Sequence, residues 1–265
     1  MRLSFVPLLL LAASMLGPDA SYAGASDWHE TNGARIRLVT AGQPEPDGSL
    51  HGALEIALEP GWKTYWRDPG DAGIPPQIDV SPSTNIAGAA IEFPPPVRFH
   101  EGWAGYDRSV SLPVRFSIDD PARFSAVEAD IFLGVCKEVC VPVQARLSAT
   151  QHTLDGEAEN DAAVAAAFAT LPGPTAPNFR VDSLRDDGDS IVATITLPGG
   201  TTADLFVVTP EGWVFGPPEA VAGEGGLSFS ILVAERPAGT AAVPVMVDYT
   251  LVAGAASVSG TTPLH

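Results

Sequence analysis

Apolar and polar residues alternate along most of the chain, in runs too short for helices. Ala34-Arg35-Ile36-Arg37-Leu38-Val39 and Leu54-Glu55-Ile56-Ala57-Leu58 put large apolar side chains on one face of an extended strand. The pattern recurs at residues 110–116, 127–132 and 143–147, and again at 190–197, 204–209, 227–234 and 243–252. Proline (25) and glycine (26) are scattered between these runs and end each one early. Short strands at near-regular spacing predict an all-β chain of sandwich type.

One segment departs from the alternation. Residues 157–171 are rich in alanine and acids, with Asn160 or Asp161 as the expected N-cap, and Leu171-Pro172-Gly173-Pro174 stops the run. This reads as a single short helix followed by a linker. The expected organisation is an export signal at 1–23, a first β-sandwich at 24–152, helix and linker at 153–177, and a second, smaller β-sandwich at 178–265. At roughly ninety residues the second unit is near the low end of ordinary domain size.

The amino terminus has the layout of a cleaved signal. Arg2 precedes a short apolar run from Leu8 to Leu16, and Ser21-Tyr22-Ala23 supplies the small residues a signal peptidase reads. No stretch is long and apolar enough to span a bilayer, so the expectation is a periplasmic protein with no membrane span of its own. The net charge of -18 is unchanged by cleavage, because the signal carries one Arg and one Asp. An acidic surface of this size repels phosphate backbones and argues against nucleic-acid binding.

The chain has two cysteines, and export places both in an oxidising compartment. Three residues separate Cys136 from Cys140. In an extended strand their Cα atoms would lie roughly 13 Å apart, whereas a disulfide needs roughly 4.4–6.8 Å. If they pair, the chain must turn back between them, and Pro142 with β-rich flanks favours a hairpin tip over a helix. A loop this short stabilises by only about 2 kcal/mol, a poor staple for a chain that can build its own core. Lys137, one of two lysines in the chain, adds a positive charge beside Cys136 that favours the thiolate. From spacing alone three readings stay open: a redox-active pair, a structural disulfide, and a metal-ligand pair.

Longer motifs add a resemblance. Gly61-Trp62-Lys63-Thr64-Tyr65-Trp66-Arg67-Asp68-Pro69-Gly70-Asp71-Ala72-Gly73-Ile74-Pro75-Pro76 is followed by Phe99-His100-Glu101-Gly102-Trp103-Ala104-Gly105-Tyr106 and Ser111-Leu112-Pro113-Val114. The cysteine motif itself is Gly134-Val135-Cys136 to Cys140-Val141-Pro142. In order and spacing, over about residues 28–150, these resemble the amino-terminal periplasmic domain of the DsbD and ScsB thiol:disulfide interchange family. The tail resembles the second β domain of ScsB-type relatives.

The resemblance implies an immunoglobulin-like β-sandwich and a protein-disulfide reductase component that needs no cofactor. Cys140 matches the family's nucleophile and Cys136 its resolving cysteine. A cap loop bearing aromatics shields the pair in the family; here Glu101, Trp103 and Tyr106 lie in the equivalent region, with Tyr65 and Trp66 as further candidates for cap or partner contact. Expected partners are thioredoxin-like periplasmic proteins. Full-length members continue into a membrane segment and a thioredoxin-like domain; this chain has neither, so a separate membrane electron donor is expected.

Two other classes compete. Two thiolates in a turn suit Cu(I), with His100 or Met246 as a third ligand, and ScsB-type proteins are associated with copper tolerance. Alternatively, the chain is a non-enzymatic interaction module with a structural disulfide. Hydrolytic and phosphoryl-transfer chemistry has no motif here. The aromatics around Trp62–Trp66 read as packing rather than as a sugar platform.

Overall fold

The computed structural model describes residues 24–70, 73–100, 102–149, 157–199, 202–223, 226–237 and 245–265. The expected signal at 1–23 and Glu101 lie outside them. The chain is all-β with a single short helix among the described residues. Each strand predicted from alternation has a counterpart among the described residues; the first two positions of the one predicted at 243–252 lie outside them.

The first domain is a sandwich of two sheets. One runs in the order Gly24–Ala25, Ala34–Thr40, Ser49–Leu58, Val110–Ile118, Ile86–Ile91. Its inner face is set by register: Leu38 and Leu112 both pair with Leu54, and Ile36 pairs with Ile56. All are essentially solvent-free, and each fully buried leucine contributes about 1.5–3 kcal/mol. The second sheet runs Cys140–Ser148, Glu128–Cys136, Lys63–Tyr65, Ala104–Tyr106, Val97–Arg98. Alternation along Glu128–Cys136 sends Ala129, Ile131, Leu133 and Val135 into the common core.

The outer face of the first sheet is also covered. The helix Glu157–Phe168 lays Val164 and Ala167 on Val39 and Ala53. It begins earlier than the sequence suggests, with Glu157 and Glu159 in its first turn. Asp161 is therefore inside the helix rather than at its cap, and its Oδ1 accepts the Gly42 amide at 2.7 Å. That bond is a tertiary anchor, which no local capping rule could indicate. At the other end Phe168 stacks on His51 with ring centroids 4.0 Å apart.

In the second domain, hydrogen bonding runs continuously through nine strands. The order Asp204–Val207, Val245–Ala253, Ala256–Leu264 joins Arg180–Asp186, Ser190–Thr196, Gly226–Glu235 through a parallel contact at Leu184–Leu264. One core serves them all, with Leu184, Ala193, Leu205, Phe229, Ile231 and Leu251 nearly solvent-free. Phe206 faces the other way and completes the core of the first domain. There it meets Trp66 edge-on at 5.9 Å. Asp68 accepts the Thr209 amide at 2.5 Å across the same boundary.

His51 makes the helix contact sensitive to acid. Arg115 Nη1 lies 2.7 Å from Nε2, and Glu45 lies 3.2 Å from Nδ1. The neutral ring accepts from Arg115 and donates to Glu45; a protonated ring would face the guanidinium as a like charge. Burial holds the imidazole below its ordinary value of 6.5, with Arg115 adding to the effect and Glu45 opposing it. The unfolded chain therefore binds this proton more readily than the folded one. Stability from neutral His51 is fully present above about pH 6.5 and is lost as the pH falls below it. We predict that His51→Phe, which keeps the stack on Phe168, removes part of the fall in thermal midpoint between pH 8 and pH 5. Scans of both proteins across that range check it.

Candidate functional site

The site begins with strand register. Cys136 and Cys140 are direct partners across an antiparallel hairpin, and a turn of Lys137, Glu138 and Val139 joins them. Direct cross-strand partners point to the same face, which brings the two sulfurs together. They form a disulfide, with Cα atoms 4.1 Å apart. The two cysteines differ in access: Cys136 is 4% exposed, while Cys140 and the whole turn are exposed residues. Val139 is 72% exposed at the tip, an apolar side chain next to the exposed Cys140.

The neighbouring strand Lys63–Tyr65 supplies the cover. It pairs Lys63 with Cys136 and Thr64 with Val135. Thr64 is buried inward and donates to the Gly134 carbonyl at 2.8 Å. Alternation then puts Lys63 and Tyr65 on the face that carries the disulfide. The Tyr65 hydroxyl lies 2.9 Å from each sulfur. Burial raises the Tyr65 pKa, so the phenol keeps its proton and acts as the donor. A donor fixed there favours a thiolate once the bond is opened.

Two glycines make room for this arrangement. A Cβ on Gly134 would lie 2.7 Å from Tyr65 Cε2 and 2.9 Å from the Ile74 Cβ. Gly134 shares the face of Cys136, so its bare backbone is what lets the ring lie flat toward the sulfurs. A Cβ on Gly105 would sit 2.2 Å from the Thr64 carbonyl oxygen and 2.8 Å from the Trp103 ring. Both glycines interrupt otherwise regular strands, which in sequence signals close approach of another group.

Above Tyr65 lies a hairpin formed by Val97–Arg98 and Ala104–Tyr106. Its turn is closed by Phe99 donating to the Trp103 carbonyl at 3.0 Å and Gly102 donating to that of Phe99 at 2.9 Å. Trp103 packs on Tyr65 at 4.8 Å and on Phe99 at 4.1 Å. The Lys63 ammonium rests over Phe99 at 4.2 Å and Trp103 at 5.6 Å, a pair of cation–π contacts. The other lysine, Lys137, is on the turn, with Cε 3.4 Å from where a Gly61 Cβ would be. Both lysines of this acidic chain thus border the disulfide.

Of the residues singled out in the sequence, the structure brings Cys136, Cys140, Tyr65 and Trp103 together. Trp66 is 1% exposed, pointing into the core toward Phe206. Tyr106 is buried and donates to the Pro94 carbonyl at 2.9 Å, with its pKa well above normal because of that burial. Glu101 lies outside the described residues, and Glu138 is exposed on the turn. Sequence reasoning did not single out Lys63, Phe99 or Gly134. The scarcity of lysine and the glycine two positions before Cys136 were signals for the first and last. Among the described residues, no three His, Cys, Asp or Glu side chains come together.

Comparison with known proteins agrees with this geometry. Residues 37–152 match the family described as "Thiol:disulfide interchange protein DsbD, N-terminal". No curated protein sequence matches the chain. Among solved structures, the N-terminal periplasmic domain of ScsB from Proteus mirabilis superposes with a TM-score of 0.72 at 21% identity, covering 91% of this chain and 98% of that one. The likeness therefore extends over both β domains and shows a shared fold.

Two substitutions test the cover. Gly134→Ala should destabilise the protein by about 1–3 kcal/mol in denaturant titration, because Tyr65 or Ile74 must move. Tyr65→Phe keeps the ring and removes the donor. Alkylation of the reduced cysteine pair at neutral pH should then slow by about tenfold, the equivalent of one charge-assisted hydrogen bond.

Proposed function

Residues 37–152 belong to the DsbD N-terminal family, and from that premise we propose that the chain passes electrons to oxidised periplasmic proteins through Cys136 and Cys140. The observation that carries this reading is the asymmetry of the pair. One cysteine is an exposed residue at a hairpin tip, the other is buried, and a fixed phenol lies against the sulfurs of both.

The steps follow from that asymmetry. In the reduced protein the Cys140 thiolate attacks one sulfur of a partner disulfide. The partner's S–S bond breaks, its second sulfur leaves as a thiolate, and a Cys140–partner mixed disulfide forms. The Cys136 thiolate then attacks the Cys140 sulfur. The Cys136–Cys140 bond forms and the partner's remaining sulfur is released. Two electrons reach the partner, whose thiolates take protons from solvent. Tyr65 steadies whichever site thiolate is present, and Lys63 and Lys137 place positive charge beside the pair.

A thioredoxin-like fold suits the partner, because such proteins present a reactive disulfide on a protruding edge that can reach Cys140. Recharging requires a dithiol donor, which we assign to a separate membrane protein. Cleavage after Ala23 would deliver the chain to the periplasm. No helix among the described residues is long and apolar enough to cross a membrane. The copper reading has less support: two sulfurs share the site, but Met246 lies on the second domain's strand Val245–Ala253, away from the cysteine hairpin in the sheet order.

Trapping separates the roles of the two cysteines. Reduced Cys136→Ala, mixed with oxidised thioredoxin as a probe, should accumulate a covalent one-to-one complex that dithiothreitol cleaves. Cys140→Ala should accumulate about tenfold less, because its remaining sulfur is covered. Equal yields from the two variants would overturn the assignment.

A further inference from the structure

The hairpin that covers the disulfide is held on two sides. From within the first domain it is held by Lys63, Tyr65 and the edge pairing to the strand Lys63–Tyr65. Its other side touches the second domain. Arg98, on the first strand of the hairpin, donates to Asp204 Oδ1 from Nε at 3.1 Å and from Nη2 at 2.9 Å. Nη2 also donates to the Leu205 carbonyl, and Nη1 donates back to Gly102 in the hairpin's own turn at 3.3 Å. The guanidinium lies 4.6 Å over the Phe206 ring. A Cβ on Gly102 would be 3.4 Å from Pro217 Cγ, so the turn also rests on the second domain.

One arginine therefore ties the turn of the cover to three successive residues of a second-domain strand. Phe206, the last of the three, is itself part of the first domain's core. The chain of contact is continuous: Asp204 and Leu205 to Arg98, Arg98 to Gly102, the turn to Trp103, Trp103 to Tyr65, and Tyr65 to both sulfurs. Beside it is a cleft of about 420 Å³ lined by Trp66, Arg98, Trp103, Phe206 and Pro217. It lies between the domains, so a cover released from the second domain has space to move into.

We propose that the second domain anchors the cover over Cys136–Cys140 and that Arg98 and Asp204 are the positioning residues of that anchor. Separation of the contact frees the hairpin, lifts Trp103 off Tyr65 and exposes the buried sulfur of Cys136. A partner that pries at this boundary gains access to the pair. This deepens the relay reading by assigning the second domain a part in it. It is tested through sulfur access, so a disulfide of purely structural potential would sink the relay and leave this proposal standing.

The experiment uses the full chain in a Cys140→Ala background, in which Cys136 is a lone buried thiol. Its alkylation by iodoacetamide is followed by intact mass, and amide hydrogen exchange is followed across residues 97–106. Asp204→Asn and Arg98→Met are each expected to speed alkylation several-fold and to raise exchange in the hairpin. Exchange in the core strand Glu128–Cys136 and in the second domain should stay at its parent level. The two variants remove opposite charges, so faster reaction in both cannot come from a field effect on the thiol. Arg180→Gln, which breaks a surface ion pair with Asp182 elsewhere in the second domain, should leave the rate unchanged. Parent-like alkylation in either Asp204→Asn or Arg98→Met overturns the proposal. So does acceleration accompanied by faster exchange in the core strands, which would mean general loosening.

Discussion

The direct pairing of Cys136 with Cys140 across a three-residue turn is the constraint on which the site depends. A strand offers each side chain one of two faces. Once Val135 and Leu133 are committed to the core, Cys136 and Gly134 must face outward, and Cys140 and Pro142 with them. The same rule applied to the adjoining strand puts Thr64 inward and Lys63 and Tyr65 outward. A reactive pair on an outer face would ordinarily be bathed in solvent on both sulfurs. Here the Tyr65 ring lies over the bare backbone of Gly134 and covers one of them. Burial of the core and selective exposure of the chemistry are therefore two consequences of one register.

The cover adds a second level of control. Trp103 and Phe99 sit on a hairpin with only two residues in its first strand and three in its second, too little sheet to hold a fixed position alone. It is stiffened by aromatic stacking, by the Lys63 ammonium and by contact with the second domain. Elements held by a few polar contacts at a domain boundary come from the low-stability end of a fold, where opening can be coupled to binding. The second domain shares its Phe206 with the first domain's core, which makes the boundary more than a tether.

Much of the fold was legible in the sequence because burial on one face of a strand imposes a period of two. Runs such as Ala34–Val39 and Leu54–Leu58 could hardly be read otherwise. The hairpin between the cysteines followed from chain reach together with Pro142 and the β-rich flanks. The helix was legible as a helix, but its start was not. Asp161 resembles a cap by composition, whereas its carboxylate bonds Gly42, more than a hundred residues away. The site was legible in part. The cysteines, Tyr65 and Trp103 carry recognisable motif positions. Trp66 and Tyr106 share those motifs yet point into the core, because alternation within a motif divides its residues between two faces. Lys63, Gly134 and Arg98 act through contacts with residues distant in sequence; the scarcity of lysine and a glycine inside a strand flag the first two, but no local pattern names their partners.

The central claim is that this disulfide is made to be opened. Its reduction potential tests that most directly: mature protein is equilibrated in graded thiol–disulfide buffers, alkylated, and counted by mass. The account predicts a value between about -180 and -270 mV, the range of working oxidoreductases. A value below about -300 mV would mark Cys136–Cys140 as a structural staple and contradict the relay.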